Sequence, residues 1–441
     1  MERAVEEAER TLEEAVDLYR CDRCMRARAL VDRVQDFVDT CPAFDVTRGD
    51  GSSGGSTTAQ GDDDDVSNLD QNQQQGTAGE QGTAGEDGDA EAEPHQEHEQ
   101  QEELGHEQQQ QQEHEQVGDV DDNDQHAPSS PPRRSSSVSS SSSSTSARAS
   151  KKADVAARVA KLRHRLAQDD VVVMLRKYSD DVQQIRRTLA SEEGWTLQRS
   201  SGGTNTYYRH ERDAAMHTIR VEGWMDFPMF EILSILYEVD LHPQWMPSAL
   251  GFGITESNVV HEFSPTKLWV EFLNSIPWPF SNRNLSIFIN GVDCLDESEA
   301  FRRQVVILMR SAEADPEFVR LKEETQHLGS PPARSGVVTA EMPMGAIVLT
   351  PAEVNPGMEQ ATGTFVQLYA TLDPKVDALP ACAVDLGLRK VAHFMIDCMR
   401  KQAVKVHNDP EYARRIEAKP QFYGFIQRRM RETGYDEAVK H

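Results

Sequence analysis

Cys21 and Cys24 stand three apart in a CxxC, the spacing that holds zinc when a second such pair supplies two more thiolates. No second pair follows: the other cysteines, Cys41, Cys294, Cys382 and Cys398, are scattered. Spacing of i, i+3 also puts two residues on one face of a helix, where they pack. His95, His98, His106, His114 and His126 lie in a Gln/Glu-rich tract, where they are weak metal scavengers or solvated filler. Gly251-Phe252-Gly253 is a lone GxG that reads as a bulge or a close approach of backbone. Arg133-Arg134-Ser135-Ser136 has the form of a basophilic kinase site with Ser136 as acceptor; phosphate there adds about −1.5 to −2 charges. P-loop and HExxH are missing from the chain, and GxGxxG and GxSxG occur only as spellings of the low-complexity Gly/Ser run at 49–55. The expectation is therefore a protein with no catalytic residue, no metal and no cofactor.

The elements that would position any site emerge from composition first. Hydrophobic residues make up 37% of the 441, and the formal net charge is −28. The charge is concentrated: 48–150 holds 23 Asp and Glu against 4 Arg and no Lys, a net of −19, which leaves −9 for the other 338 residues. The acidity thus belongs to one segment, and it argues against nucleic acid as a partner. That segment carries Gly/Ser runs, the acidic tetrad 62–65, a doubled QGTAGE, a Gln/Glu/His tract and polyserine. It cannot bury enough apolar surface to offset chain entropy, so 43–150 is expected to be a disordered linker. No run of about 18 apolar residues exists to span a membrane, and the chain opens Met1-Glu2-Arg3 without an apolar leader. A cytoplasmic, reducing location is the expectation, with peripheral attachment to membranes the other case.

On either side of the linker the spacing is helical. Val5, Ala8, Leu12, Ala15, Val16 and Tyr19 predict one helix within 1–42, and Ala27 to Val38 a second that Pro42 ends. Val155 to Leu189 predicts further helices over 151–191. Such short helices must lay their apolar faces on something, and the simplest partner is the N-terminal pair. From Gly194 the period changes to two. Three strands are expected over 195–226, then a helix near 230–237. Strands follow at 250–256, 258–264, 266–273, 284–292, 301–311, 336–349 and 362–371, with 313–335 a long loop, and an apolar helix over about 380–404 closes the domain. The class is α+β with an antiparallel sheet.

Three ordered segments within 192–408 resemble the START (StAR-related lipid-transfer) family. Val221-Glu222-Gly223-Trp224, Tyr237 to Leu241 and Gln244-Trp245-Met246-Pro247 are similar to its third strand and the helices after it. Leu268 to Ile289, with Pro277-Trp278-Pro279 and Asn282-Arg283-Asn284, is similar to its segment between two central strands, although Asn284 stands where the family has Asp. Tyr369 to Leu379 and Leu386 to Lys390 resemble its last strand and closing helix. The resemblance implies a helix-grip fold, a curved antiparallel sheet around a long C-terminal helix with a lipid tunnel between them.

Alternation independently selects a lining. Leu268, Val270 and Phe272 alternate with Lys267 and Glu271, so they face inward. Val305, Ile307 and Met309 form a second inward set. Leu388, Val391 and Met395 recur at helical spacing on the closing helix, and Arg283 is either the polar candidate in the tunnel or the partner of a backbone carbonyl or a carboxylate near the sheet edge. The same pattern describes a filled core, which periodicity cannot tell from a hollow one. His393 is either a headgroup partner or a satisfied histidine, and Trp245 an anchor for the short helix. Over 409–441, Phe422, Tyr423, Phe425 and Ile426 beside Arg428, Arg429 and Arg431 either dock on an anionic membrane or pack back on the domain. The expected activity is non-enzymatic binding, and transfer or sensing, of a lipid-like apolar ligand. The alternatives are a protein-binding scaffold acting through the helical bundle, with a vestigial cavity, and a cyclase-like enzyme on the same fold.

Overall fold

The computed structural model describes residues 1–41 and 142–434, apart from short stretches at 212–215, 247–250, 298–302, 326, 330, 332–333, 352–362 and 377–380; the side chains of 142–146 and 381–390 also lie outside the description. Most of the expected linker, with its histidines and the 133–136 site, falls outside the described residues. Its C-terminal limit is corrected. A helix begins at Ser142 rather than 151, because good helix formers from Ala147 onward propagate it backwards through serines that need no burial.

Four helices surround one apolar core: α1 (Glu2–Arg20), α2 (Cys24–Thr40), α3 (Ser142–Gln168) and α4 (Asp170–Ala190). Leu12, Ala27, Val31, Leu162, Leu175 and Val182 are buried at its centre. Asp169 caps α4 by accepting from the Val171 amide at 3.1 Å. Cys24 is buried in this core while Cys21 faces solvent, so the CxxC does not converge.

Among the described residues the sheet has ten strands: β1 (Trp195–Ser201), β2 (Thr204–His210), β3 (His217–Met225), β4 (Gly253–Ser264), β5 (Lys267–Ser275), β6 (Arg283–Asp293), β7 (Val305–Ser311), β8 (Val338–Thr339), β9 (Glu341–Pro351) and β10 (Thr364–Asp373). Their order is β1-β2-β3-β10-β9-β7-β6-β5-β4, antiparallel throughout, with β8 added in parallel to β6. The two strands expected at 250–264 are one, β4, whose register against β5 slips at three points. These irregularities break the alternation and mimic a turn in the sequence. The single strand expected at 336–349 is two, β8 and β9, either side of Ala340.

Both faces of this sheet are covered, which explains the apolar run VVILM in β7. Val305 faces the inner core, whereas Val306 and Leu308 pack on the helical bundle. The bundle is therefore not a free-standing module, because its core is continuous with the outer face of the sheet through Val292, Val306, Leu308, Ala346 and Val348. Farther along, Trp269 and Phe288 face outward against Phe318. Phe318 lies on α7 (Pro316–Glu324), inside the stretch expected to be a loop. Asp315 caps that helix and Pro316 opens it, a start signal outweighed by the polarity of the segment.

On the inner face lie α5 (Met229–Tyr237), the short α6 (His242–Trp245) and the closing helix α8 (Ala381–Asn408). The sheet and α8 form the expected helix-grip arrangement. Gly223 permits the close crossing: a Cβ there would meet the Gly203 carbonyl oxygen at 2.7 Å and Ile396 at 3.3 Å. Arg400 on α8 secures it by donating to the carbonyls of Gly202 at 3.0 Å and Trp224 at 2.6 Å. Two further helices, α9 (Pro410–Ala418) and α10 (Pro420–Glu432), follow.

The turn between α1 and α2 reaches the sheet at Asp22, whose carbonyl accepts from the Asp293 amide at 2.9 Å. Its carboxylate takes the Thr266 hydroxyl and lies 4.0 Å from Lys267. Burial pushes this carboxyl up from 3.8 to about 6, against the pull of Lys267 and Thr266. The folded state then holds the proton more tightly than the unfolded chain. The stability this gives is complete below pH 3.8 and is lost as pH rises through about 6, in all about 3 kcal/mol. Asparagine keeps the shape and tolerates the left-handed backbone at this position, where φ is +61°. The stability of Asp22→Asn relative to the native protein is expected to rise by about 3 kcal/mol between low and mildly alkaline pH, measured by denaturant unfolding across that range. A flat difference would mean that Lys267 fully compensates the buried charge.

Candidate functional site

The inner face of the sheet does not close fully on its helices. Between β3, β5, β6, β9, β10 and α8 lies a cavity of about 330 Å3. A second lobe of about 140 Å3 lies between α5, α6, β5 to β7 and α10. Leu236, Met246, Phe272, Met309 and Ile347 border both, so the two adjoin at an apolar waist. Two of these five are methionines, whose unbranched side chains adapt to an irregular boundary.

The expected lining residues divide between the lobes. Leu268, Val305 and Ile307 border the smaller, Val391 and Met395 the larger, and Phe272 and Met309 the waist. Val270 is a correction. It is fully buried on the same face of β5 but borders neither lobe, because neighbouring core side chains fill the space above it. Leu388 lies on α8 among the residues whose side chains are outside the description. Arg283 borders the larger lobe, yet its guanidinium is occupied by backbone: it donates to the carbonyls of Ser281 at 2.5 Å, Pro374 at 2.6 Å and Lys375 at 2.8 Å. It serves as a clasp between two loops rather than as a headgroup partner. His393 is buried and satisfied, with Nε2 at 2.8 Å from Ser201 Oγ and Nδ1 at 3.0 Å from Thr206 Oγ1. Trp245, the last residue of α6, is buried in the core.

The C-terminal helices complete the smaller lobe. Phe422 stacks on Tyr237, centroids 3.6 Å apart, and with Phe425, Ile426 and Met430 it borders the lobe. Tyr423 donates to Glu238 at 2.7 Å, where Lys419 and Arg415 also converge at 2.7 Å and 2.8 Å. Arg429 is buried against Asp293. The segment that offered a membrane-docking reading thus turns its aromatic side chains into the protein. The i, i+3, i+4 spacing of Phe422, Phe425 and Ile426 showed an apolar face, but not what it would cover.

Few polar groups border the lobes. In the smaller one, Asp293 is paired with Arg429 and Asp22 with Thr266 and Lys267. Tyr237 is a further titratable neighbour there, and so is His242, which the sequence did not single out. Its ring stacks on Phe272 at 5.8 Å and meets Trp245 edge-on at 5.2 Å. Burial pushes its pKa down to about 4, although the carbonyls of Leu236 and Ile235 oppose the shift. Among the described residues, no group of three or more His, Cys, Asp or Glu is placed to hold a metal ion.

No family model matches the chain, and no curated protein does. Solved structures similar to it include human STARD10, at 17% identity over 57% of this chain and 87% of that one, with a TM-score of 0.42. Human StAR-related lipid transfer protein 5 is similar at 14% identity over 53% of this chain and 99% of that one, with a TM-score of 0.40. A STAR-related lipid transfer protein fragment from Xanthomonas axonopodis is similar at 17% identity, over 48% of this chain and 99% of that one, with a TM-score of 0.34.

Proposed function

We propose that this protein binds a lipid-like apolar molecule in the two-lobed interior, without chemistry, and carries or senses it. One observation supports the reading above the others: a space of about 330 Å3, extended by one of about 140 Å3, is kept open inside a fold whose sheet is packed on both faces. Interiors normally pack to crystal density, and an apolar void of that size forfeits dispersion contacts on every wall. A ligand restores them. Each CH2 it moves out of water contributes about 0.8 kcal/mol, so an alkyl chain supplies affinity without any charged contact.

The alternatives fare worse on the same geometry. A cyclase needs an acid or base of suitable strength in the cavity. Asp22, although its carboxyl is raised to about 6, is held by Thr266 and Lys267, Asp293 is held by Arg429, and a histidine whose conjugate acid has a pKa of about 4 is a weak base at neutral pH. A scaffold acting through the bundle needs a free apolar face, whereas the core of the bundle continues into the sheet.

Protein isolated under native conditions is expected to carry an apolar molecule, seen as a mass increment in native mass spectrometry and recovered in organic extract. Met395→Trp projects into the larger lobe and is expected to lower bound lipid at least tenfold while the melting temperature falls by about 4 °C or less, a change of about 1 kcal/mol or less. Val270→Trp enters filled core and is expected to lower stability by about 1–3 kcal/mol together with binding. Equal loss of stability in both variants, with lipid still bound to Met395→Trp, would identify the space as slack in an ordinary core.

A further inference from the structure

We propose that the ligand presents an uncharged hydroxyl, as a long-chain or polycyclic lipid alcohol does, and that this hydroxyl donates its proton to Nδ1 of His242 in the smaller lobe. The proposal rests on the lipid-binding reading above and adds the chemistry of the polar end.

The protonation of His242 follows from its neighbours. Nε2 lies 3.2 Å from the carbonyl oxygen of Ile235 and 3.1 Å from that of Leu236. A carbonyl only accepts, so Nε2 must carry the hydrogen. Burial keeps the ring neutral, and a neutral imidazole has one N–H. Nδ1 is therefore a lone-pair acceptor. The residue is only 4% exposed, and Nδ1 has no hydrogen-bond partner among the described residues. A buried acceptor left unmade is costly, and here it sits on a residue that borders an apolar space.

The group that completes it must be a donor small enough for a lobe of about 140 Å3. A carboxylate or phosphate brings only lone pairs to a lone pair. An ammonium donates, but it would leave water for a lobe whose carboxylates, Asp22 and Asp293, already have partners. A hydroxyl meets the need at the lowest desolvation cost. The ligand's apolar body then runs through the waist into the larger lobe, past Met309 and Met395.

Delipidated full-length protein should be titrated with hexadecane, hexadecan-1-ol, its methyl ether and hexadecanoate. The alcohol is expected to bind about tenfold more tightly than the methyl ether, which keeps the oxygen and loses the donor. His242→Phe is expected to abolish that preference, and His242→Gln, whose amide can still donate to the carbonyls and accept a hydroxyl, to keep part of it. Without any variant, the 15N resonance of His242 Nδ1 should move when the alcohol binds and stay in place with the ether. Equal binding of alcohol and ether with an unmoved Nδ1 resonance would overturn the proposal and leave the apolar-ligand reading standing. Tighter binding of hexadecanoate, lost in Arg429→Gln, would overturn it in favour of an anion held by Arg429. If none of the four binds, the lipid-binding reading fails and this one with it.

Discussion

Everything in this protein depends on a sheet that has to be buried on both sides. In β7, Val305 faces the inner cluster while Val306 and Leu308 face the outer one. A strand with apolar side chains on both faces cannot rest on one helix and show its back to water. The bundle of α1 to α4 answers that need for the centre of the outer face, and α7 answers it farther along through Phe318. The inner face is then free to be covered incompletely. A wall already held from behind can border a void, because its position does not depend on contacts across the void.

The two halves are registered by charge as well as by apolar contact. Asp315 accepts from Tyr178 at 2.7 Å and Lys177 at 3.1 Å while it caps α7. Burial alone would raise its carboxyl; Lys177, Tyr178 and Arg310 outweigh that and hold it below the usual range. Next to it, Arg310 on β7 forks onto Asp181 on α4 at 2.8 Å and 2.6 Å. Tyr19 on α1 and Lys267 on β5 meet at Glu317, at 2.9 Å and 3.1 Å. Buried pairs of this kind add little net stability, because desolvation offsets much of the attraction, but breaking one strands the other. Their directional geometry fixes where the bundle sits on the sheet, which apolar contact alone would leave loose.

The inner side uses the same device at Glu238. Three tail residues, Arg415, Lys419 and Tyr423, close on its buried carboxylate. Glu238 sits between α5 and α6, so the tail is tied to the elements that carry His242. The smaller lobe is consequently built from segments distant in sequence, with α5 and α6 on one side, β5 to β7 on another and α10 over them.

What the sequence by itself determined was whatever depends on local period. The helices, the meander at the start of the sheet and the inward sets Leu268/Phe272 and Val305/Ile307/Met309 are all legible, because side-chain direction follows backbone repeat. The errors arose where local signals compete. Register slips in β4 looked like a turn, and the Asp315-Pro316 start of α7 was hidden by polar residues after it. Tertiary structure alone decided the rest. Alternation assigns Val270 and Ile307 the same orientation, yet one borders a cavity and the other packed core, because the difference lies in what stands opposite. His242 carries no pattern of its own. It became an unpaired acceptor because the chain turns after α5 and sets Nε2 against two carbonyls of that helix, while among the described residues no donor meets Nδ1.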